Sequence, residues 1–127
     1  MGTKLAPGIE GKKEIIITPG LLATAHCSGT LEVFATPAMI ALMEQTAMES
    51  VADLLPEGST TVGTEVSVKH FKATLPGNKV SFKSKVIEAG AKKIVFEVEA
   101  SDVNGLIGKG IHTRYIVDKQ SFIDNLK

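Results

Sequence analysis

The stretch AMIALMEQTAMESVADLL, residues 38–55, constrains the fold of this chain more than any other segment. Its Ala, Leu, Met and Glu residues are good helix formers. Thr36-Pro37 stands in front of it: Thr is suited to cap free backbone N–H groups, and Pro to the first helical position. Pro56-Glu57-Gly58 ends it. The helix so predicted is apolar around most of its circumference, and only Gln45, Glu49 and Asp53, at i, i+4 and i+8, form a narrow polar stripe. Such a helix must be covered by other elements on most of its sides.

Strands are what the rest of the chain offers. A short β-branched run at 14–17 predicts a first strand, broken by Thr18-Pro19-Gly20. Residues 21–32 are small and irregular, and predict a loop with one helical turn at most. Strand signals then cover 60–71, 79–89, 92–103 and 106–117, with Asn104-Gly105 as a tight hairpin turn. Asp118 is placed to cap a short last helix reaching Ile123. The expected order is strand, long helix, then four strands in a meander, an α+β architecture forming one domain over residues 1–127. The later strands are long, and a bare edge of that length invites pairing, which points to a homodimer or higher homo-oligomer.

Composition narrows the function classes. With 14 Lys plus Arg against 14 Asp plus Glu, the net charge is zero, and no basic footprint for nucleic acid is expected. Trp is absent, so base-stacking platforms are not expected either. Cys27 is the single cysteine and cannot close an internal disulfide, which suits a reducing cytoplasm. No apolar run is long enough to span a membrane, and the first residues lack a secretory core. Ala6 occupies the place where a myristoylation motif carries Ser or Thr. His26, His70 and His112 are scattered without HxH or HExxH spacing, so no metal site is expected. Gly105, Gly108 and Gly110 precede no helix and do not make a phosphate loop.

Two polar residues stand on apolar faces. The helical neighbours of Glu44 are Ile40, Ala41, Ala47 and Met48. A carboxylate there is costly without a partner, and desolvation is how proteins tune a carboxyl for base or nucleophile work. In the strand TTVGTEVSVKHF, strict alternation sets His70 with Val62, Thr64, Val66 and Val68, and Gly63 on the opposite face. Glu44 and His70 are therefore candidates for one buried polar site, set against the plainer readings of a carboxylate reaching water and a histidine bonded to backbone. Thr36 would cap the helix or orient a substrate or water. On one helix it stands ~12 Å from Glu44, so the two would flank a bound group. For His112 a solvated or backbone-bonded imidazole is expected, and for His26 and Cys27 a surface or lid position.

The spaced set Phe34-Ala35-Thr36-Pro37, Met39 to Glu44, Val62-Gly63-Thr64, Val68-Lys69-His70 and Gly108-Lys109-Gly110-Ile111-His112-Thr113-Arg114 resembles the fluoroacetyl-CoA thioesterase branch of the hotdog-fold thioesterases. The resemblance runs from the first strand to Phe122 and implies a hotdog fold, a long central helix wrapped by a five-stranded antiparallel sheet. It implies an acyl-CoA thioesterase with Thr36, Glu44 and His70 as the catalytic set, and with Gly63, Phe34 and Arg114 binding substrate. It also implies a dimer with sites at the subunit interface and no cofactor. The segment 21–34 resembles the family's lid but is shorter and less aromatic.

The chemistry suits the residue types. Thioester hydrolysis needs a carboxylate nucleophile or base, a proton shuttle and donors for the oxyanion. Lys69, Lys72, Lys79 and Arg114 are the cations available for CoA phosphates. Two alternatives compete. One is a hotdog dehydratase or hydratase, which favours an Asp–His pair not found here. The other is a non-catalytic module binding acyl-CoA or an acyl carrier, which would tolerate loss of Glu44 or His70.

Overall fold

The computed structural model describes residues 4–127. Strand β1 (Glu10–Ile16) leads through a 3-10 turn and an irregular loop into helix α1 (Thr36–Val51). Strands β2 (Ser59–His70), β3 (Lys79–Ala89), β4 (Lys93–Asp102) and β5 (Gly105–Asp118) follow, and a short helix α2 (Lys119–Asp124) comes last. All five strands form one antiparallel sheet in the order β1-β3-β4-β5-β2. The expected helix, strands and wrapped sheet are present.

Four details differ from expectation. Only β3, β4 and β5 make a meander, because β2 lies beyond β5 and does not pair with β3. The helix gives way at Val51 to a 3-10 turn (Ala52–Leu54). β1 begins earlier than its apolar run, since the polar residues of EGKK pair with β3 as a charged edge. Thr36 is the first helical residue, not the cap: Ala35 occupies the cap position and no side chain bonds the free N–H groups.

The core lies between α1 and the concave sheet face. Ala38, Met39, Met43, Thr46, Ala47 and Val51 form the buried helix face. Against it the alternation of β3 and β4 presents Val80, Phe82, Ser84 and Val86, then Ile94, Phe96, Val98 and Ala100. Gly108 of β5 makes room for Met39: a Cβ there would lie 2.6 Å from the methionine sulfur. Gln45, Glu49 and Asp53 are exposed as the polar stripe requires, and Lys13 of β1 reaches Glu49 at 3.0 Å. Gly105, with φ +116°, turns the β4–β5 hairpin. Asp118 caps α2 by accepting the Ser121 N–H at 2.9 Å.

The two sheet edges differ. β1 carries charged residues at Glu10, Lys12, Lys13 and Glu14. β2, twelve residues long, mixes Val62, Val66 and Val68 with few charges. An edge of that length and composition is suited to pairing with another strand.

Candidate active site

A bulge in β2 decides which side chains face the helix. Gly63 pairs with Arg114 and Glu65 with Thr113, so Thr64 is the extra residue. The bulge changes the facing parity. Val66, Val68 and His70 keep the expected inward face, whereas upstream it is Thr61 and Gly63 that point inward, not Val62 and Thr64. The expected placement of Gly63 on the outer face is therefore corrected. A Cβ on Gly63 would lie 3.4 Å from Glu44 Oε2, 3.2 Å from His112 Cε1 and 3.2 Å from Arg114 Nη1.

Around this glycine sits a polar cluster. Arg114, 7% exposed, donates from Nε to Thr61 Oγ1 at 2.8 Å and from Nη2 to the Thr61 carbonyl at 2.9 Å. Its Nη1 lies 3.2 Å from His112 Nε2. The His112 Nδ1 lies 2.8 Å from the Glu65 carbonyl, which can only accept, so Nδ1 carries the proton and Nε2 accepts from Arg114. His112 is buried and backbone-bonded, not solvated, and its ring stacks on Phe96 at 6.2 Å. Burial holds its pKa below the ordinary value; the Glu65 bond opposes this, the Arg114 charge adds to it, and the Glu44 charge opposes it. Burial also lowers the pKa of Arg114, with the Glu44 carboxylate acting against it.

A second polar pole lies at the start of α1. The Thr36 hydroxyl and His70 Nδ1 are hydrogen-bonded at 2.7 Å. Phe34, 1% exposed, sets its ring edge-on against His70 and against Phe82, each at 6.3 Å between centroids. Burial holds His70 below its ordinary pKa, with the Lys72 backbone opposing. Its Nε2 is buried and has no hydrogen-bond partner. A cleft of about 420 Å³ opens beside this ring, walled by Phe34, Thr36, His70, Phe71 and Lys72 and by the loop at Ser28–Leu31. The base of that loop is closed by the Leu22–Phe34 bridge; His26 and Cys27 are exposed on it.

Within one chain the two poles stay apart. Glu44 faces Gly63, while His70 faces Thr36. The attachment points are ~12 Å apart along the helix and about 20 Å apart along β2. The expectation that Glu44 and His70 meet in one site is thus not met inside a single chain. Of the cations considered for phosphate, only Lys72 lines the cleft, where its Nζ donates to the Asn104 carbonyl at 3.2 Å. Arg114 is buried, Lys79 pairs with Glu14 at 3.4 Å, and Lys69 is exposed opposite Lys109. Among the described residues no three His, Cys, Asp or Glu side chains group as metal ligands, and no helix is long and apolar enough to cross a membrane.

The model of the fluoroacetyl-CoA-specific thioesterase family matches residues 17–120. The chain belongs to the fluoroacetyl-CoA-specific thioesterase family. It is 33% identical over 91 residues to the fluoroacetyl-CoA thioesterase of Streptantibioticus cattleyicolor, a match covering 72% of this chain and 66% of that protein, just under two thirds of its length. A solved structure of the fluoroacetyl-CoA thioesterase FlK superposes with a TM-score of 0.91 at 25% identity, over 98% of this chain and 96% of that one. A thioesterase superfamily member from Thermus thermophilus superposes with a TM-score of 0.88 at 25% identity, over 95% and 90%. The hotdog fold and the thioesterase family that the resemblance implied are both borne out.

His112 is backbone-bonded, one of the two states expected for it; what the sequence did not reveal is its bond to Arg114. The signal for that bond is its place two residues before Arg114 on one face of a strand, since a buried histidine beside a buried arginine needs a partner.

Proposed function

We propose that this family member is an acyl-CoA thioesterase acting on small acyl groups, and that its working site is shared between two copies of the chain. The observation that carries the reading is His70. Its Nδ1 is held by Thr36, its Nε2 is buried without a hydrogen-bond partner, and the residue borders an open cleft. An imidazole so placed can give or take a proton once a substrate supplies the other group.

The carboxylate then comes from the other subunit. The free edge of β2 supports antiparallel pairing with a copy of itself. Any two-fold axis crossing β2 between Gly63 and His70 brings His70 nearer to the partner's Gly63 than to its own. Glu44 of the partner subunit would then join Thr36 and His70 around one thioester. Glu44 attacks the carbonyl carbon, or takes a proton from the water that does. If Glu44 attacks, the C–S bond breaks, CoA leaves as thiolate, and a water then cleaves the glutamyl anhydride to release the acid and restore the carboxylate. If water attacks, the C–S bond breaks as the acid forms. In either route the proton lost by the water reaches the thiolate through His70. The oxyanion is met by backbone N–H groups at the uncapped start of α1 or at Gly63. Gly63, Phe34 and Arg114 bound the acyl group, and Lys72 at the cleft rim meets a CoA phosphate. The relative's substrate, fluoroacetyl-CoA, supports an acyl group of that size.

The test is thiol release from a panel of short acyl-CoAs by wild type, Glu44→Gln, His70→Ala and an exchanged mixture of the two variants. Each variant alone should lose about 100-fold or more. The mixture should regain roughly a quarter of wild-type activity, because half of its dimers are mixed and each holds one intact site. No recovery despite proven subunit exchange would place the site within one chain. No thiol release by wild type from any acyl-CoA would remove the hydrolase reading.

A further inference from the structure

We infer that His112 is a positioning residue that fixes the Arg114 guanidinium against the recess formed by Gly63 and Glu44. The assignment of an effect on turnover rests on the thioesterase reading; the orientation of Arg114 does not.

The argument starts from what a guanidinium can do. Arg presents five N–H groups in a rigid plane. Thr61 takes two of them, on Nε and Nη2, along one edge. Those bonds hold one edge of the plane but still let it tilt about that edge, and the tilt moves Nη1, the guanidinium atom nearest the inner face of Gly63. His112 removes that freedom. Its Nδ1–H is committed to the Glu65 carbonyl inside the β2 bulge, so its Nε2 can only accept, and it accepts from Nη1. One Nη1 proton is thereby turned toward the histidine and the other is left for the recess that Glu44 Oε2 also faces. Stacking on Phe96 and near-complete burial hold the ring against rotation. A histidine that served only to fill space would not need both nitrogens engaged.

The two nitrogens can be separated by substitution. Asn at 112 keeps a donor for the Glu65 carbonyl and loses the acceptor for Arg114. Gln at 112 reaches Arg114 with its amide oxygen and gives up the bond to the bulge. His112→Asn should lower kcat roughly tenfold at little-changed KM, the scale of one lost charge-assisted hydrogen bond. His112→Gln should stay within about threefold of wild type. NMR of the Arg114 side chain gives a readout without turnover: Nη1 protons resolved and slowly rotating in wild type and His112→Gln, averaged in His112→Asn. Equal losses in both variants, or no loss in His112→Asn with its Nη1 still ordered, would overturn the inference, as would a defect confined to His112→Gln. Should His112→Asn not fold, a freely rotating Nη1 in His112→Gln would overturn it. Altered Arg114 signals together with a wild type inactive on every acyl-CoA would retain the positioning role and remove the thioesterase reading.

Discussion

The hydroxyl of Thr36 is bonded to Nδ1 of His70 at 2.7 Å, while the N–H groups at the start of α1 receive no side-chain cap. A threonine ahead of a helix ordinarily stabilises it by capping, and its loss costs about 1 kcal/mol. Here the same residue type is one position further on and spends its oxygen on an imidazole. Thr36→Val, which keeps the shape, should lower the unfolding midpoint by no more than about 5 °C, the scale of one lost hydrogen bond. Thiol release should fall roughly tenfold or more, because the imidazole proposed to shuttle the proton loses its anchor. Thr36→Ser should retain most of the activity. A large fall in the thermal midpoint with kcat unchanged would assign Thr36 to helix stability instead.

Gly63 leads to a second test. A methyl group there would stand 3.2 Å from both Arg114 Nη1 and His112 Cε1 and 3.4 Å from Glu44 Oε2. These contacts are tight but not prohibitive, and the Gly63 backbone is not in the positive-φ region. Gly63→Ala should therefore fold, with a stability change of about 1 kcal/mol or less. Its effect should fall on the substrate: a several-fold rise in KM for the preferred acyl-CoA, and a shift of preference toward the smallest acyl groups. A substrate panel assayed on both proteins checks it.

How much of this was legible in the residues varies with the physics involved. The helix could be read because its composition and its polar stripe repeat over four turns. The β3 and β4 strands could be read because Val80, Phe82 and Val86, then Ile94, Phe96 and Val98, fall on alternate positions, with Ser84 the one polar residue among them. The spaced Thr36, Glu44 and His70 set pointed to the family to which the chain belongs. The bulge at Thr64 could not be read. Alternation assumes an unbroken pleat, and one extra residue moves Gly63 from the outer face to the inner one. The early start of β1 was hidden because a charged edge strand has no apolar signal. The separation of Glu44 from His70 was hidden for a different reason: it depends on which strand lies beside which, and β2 lies across the sheet from where a simple meander would put it.

Glu44→Gln tests the electrostatic side of the site. The Glu44 carboxylate is the charge that supports the proton on Arg114 against its burial. Replacing it with a neutral amide should leave a buried cation without that support and cost about 1–3 kcal/mol of stability. Turnover should fall by about 100-fold or more. The double variant Glu44→Gln with Arg114→Met should recover part of the lost stability and none of the lost activity. Denaturant melts beside initial rates measure both, and additive stability losses would show that the two side chains do not interact.

Acid should destabilise the fold through the histidines before it reaches the carboxylates. His70 and His112 both sit below the ordinary 6.5, chiefly because burial disfavours the charged ring. Below that value the unfolded chain takes up protons that the folded chain refuses. Stability therefore rises with pH, is fully present above about 6.5, and is lost as pH falls from there toward the lowered native values. Asp102 and Asp118 are held below 3.8 and act only at lower pH. The urea midpoint should drop between about pH 7.5 and about pH 5.5. Most of that drop belongs to His112, which is 1% exposed, since His70 is only half-buried. His112→Gln should flatten the pH dependence across that window, and His70→Gln should change it less. A midpoint that stays level down to about pH 5 in wild type would mean that neither ring resists protonation in the folded chain.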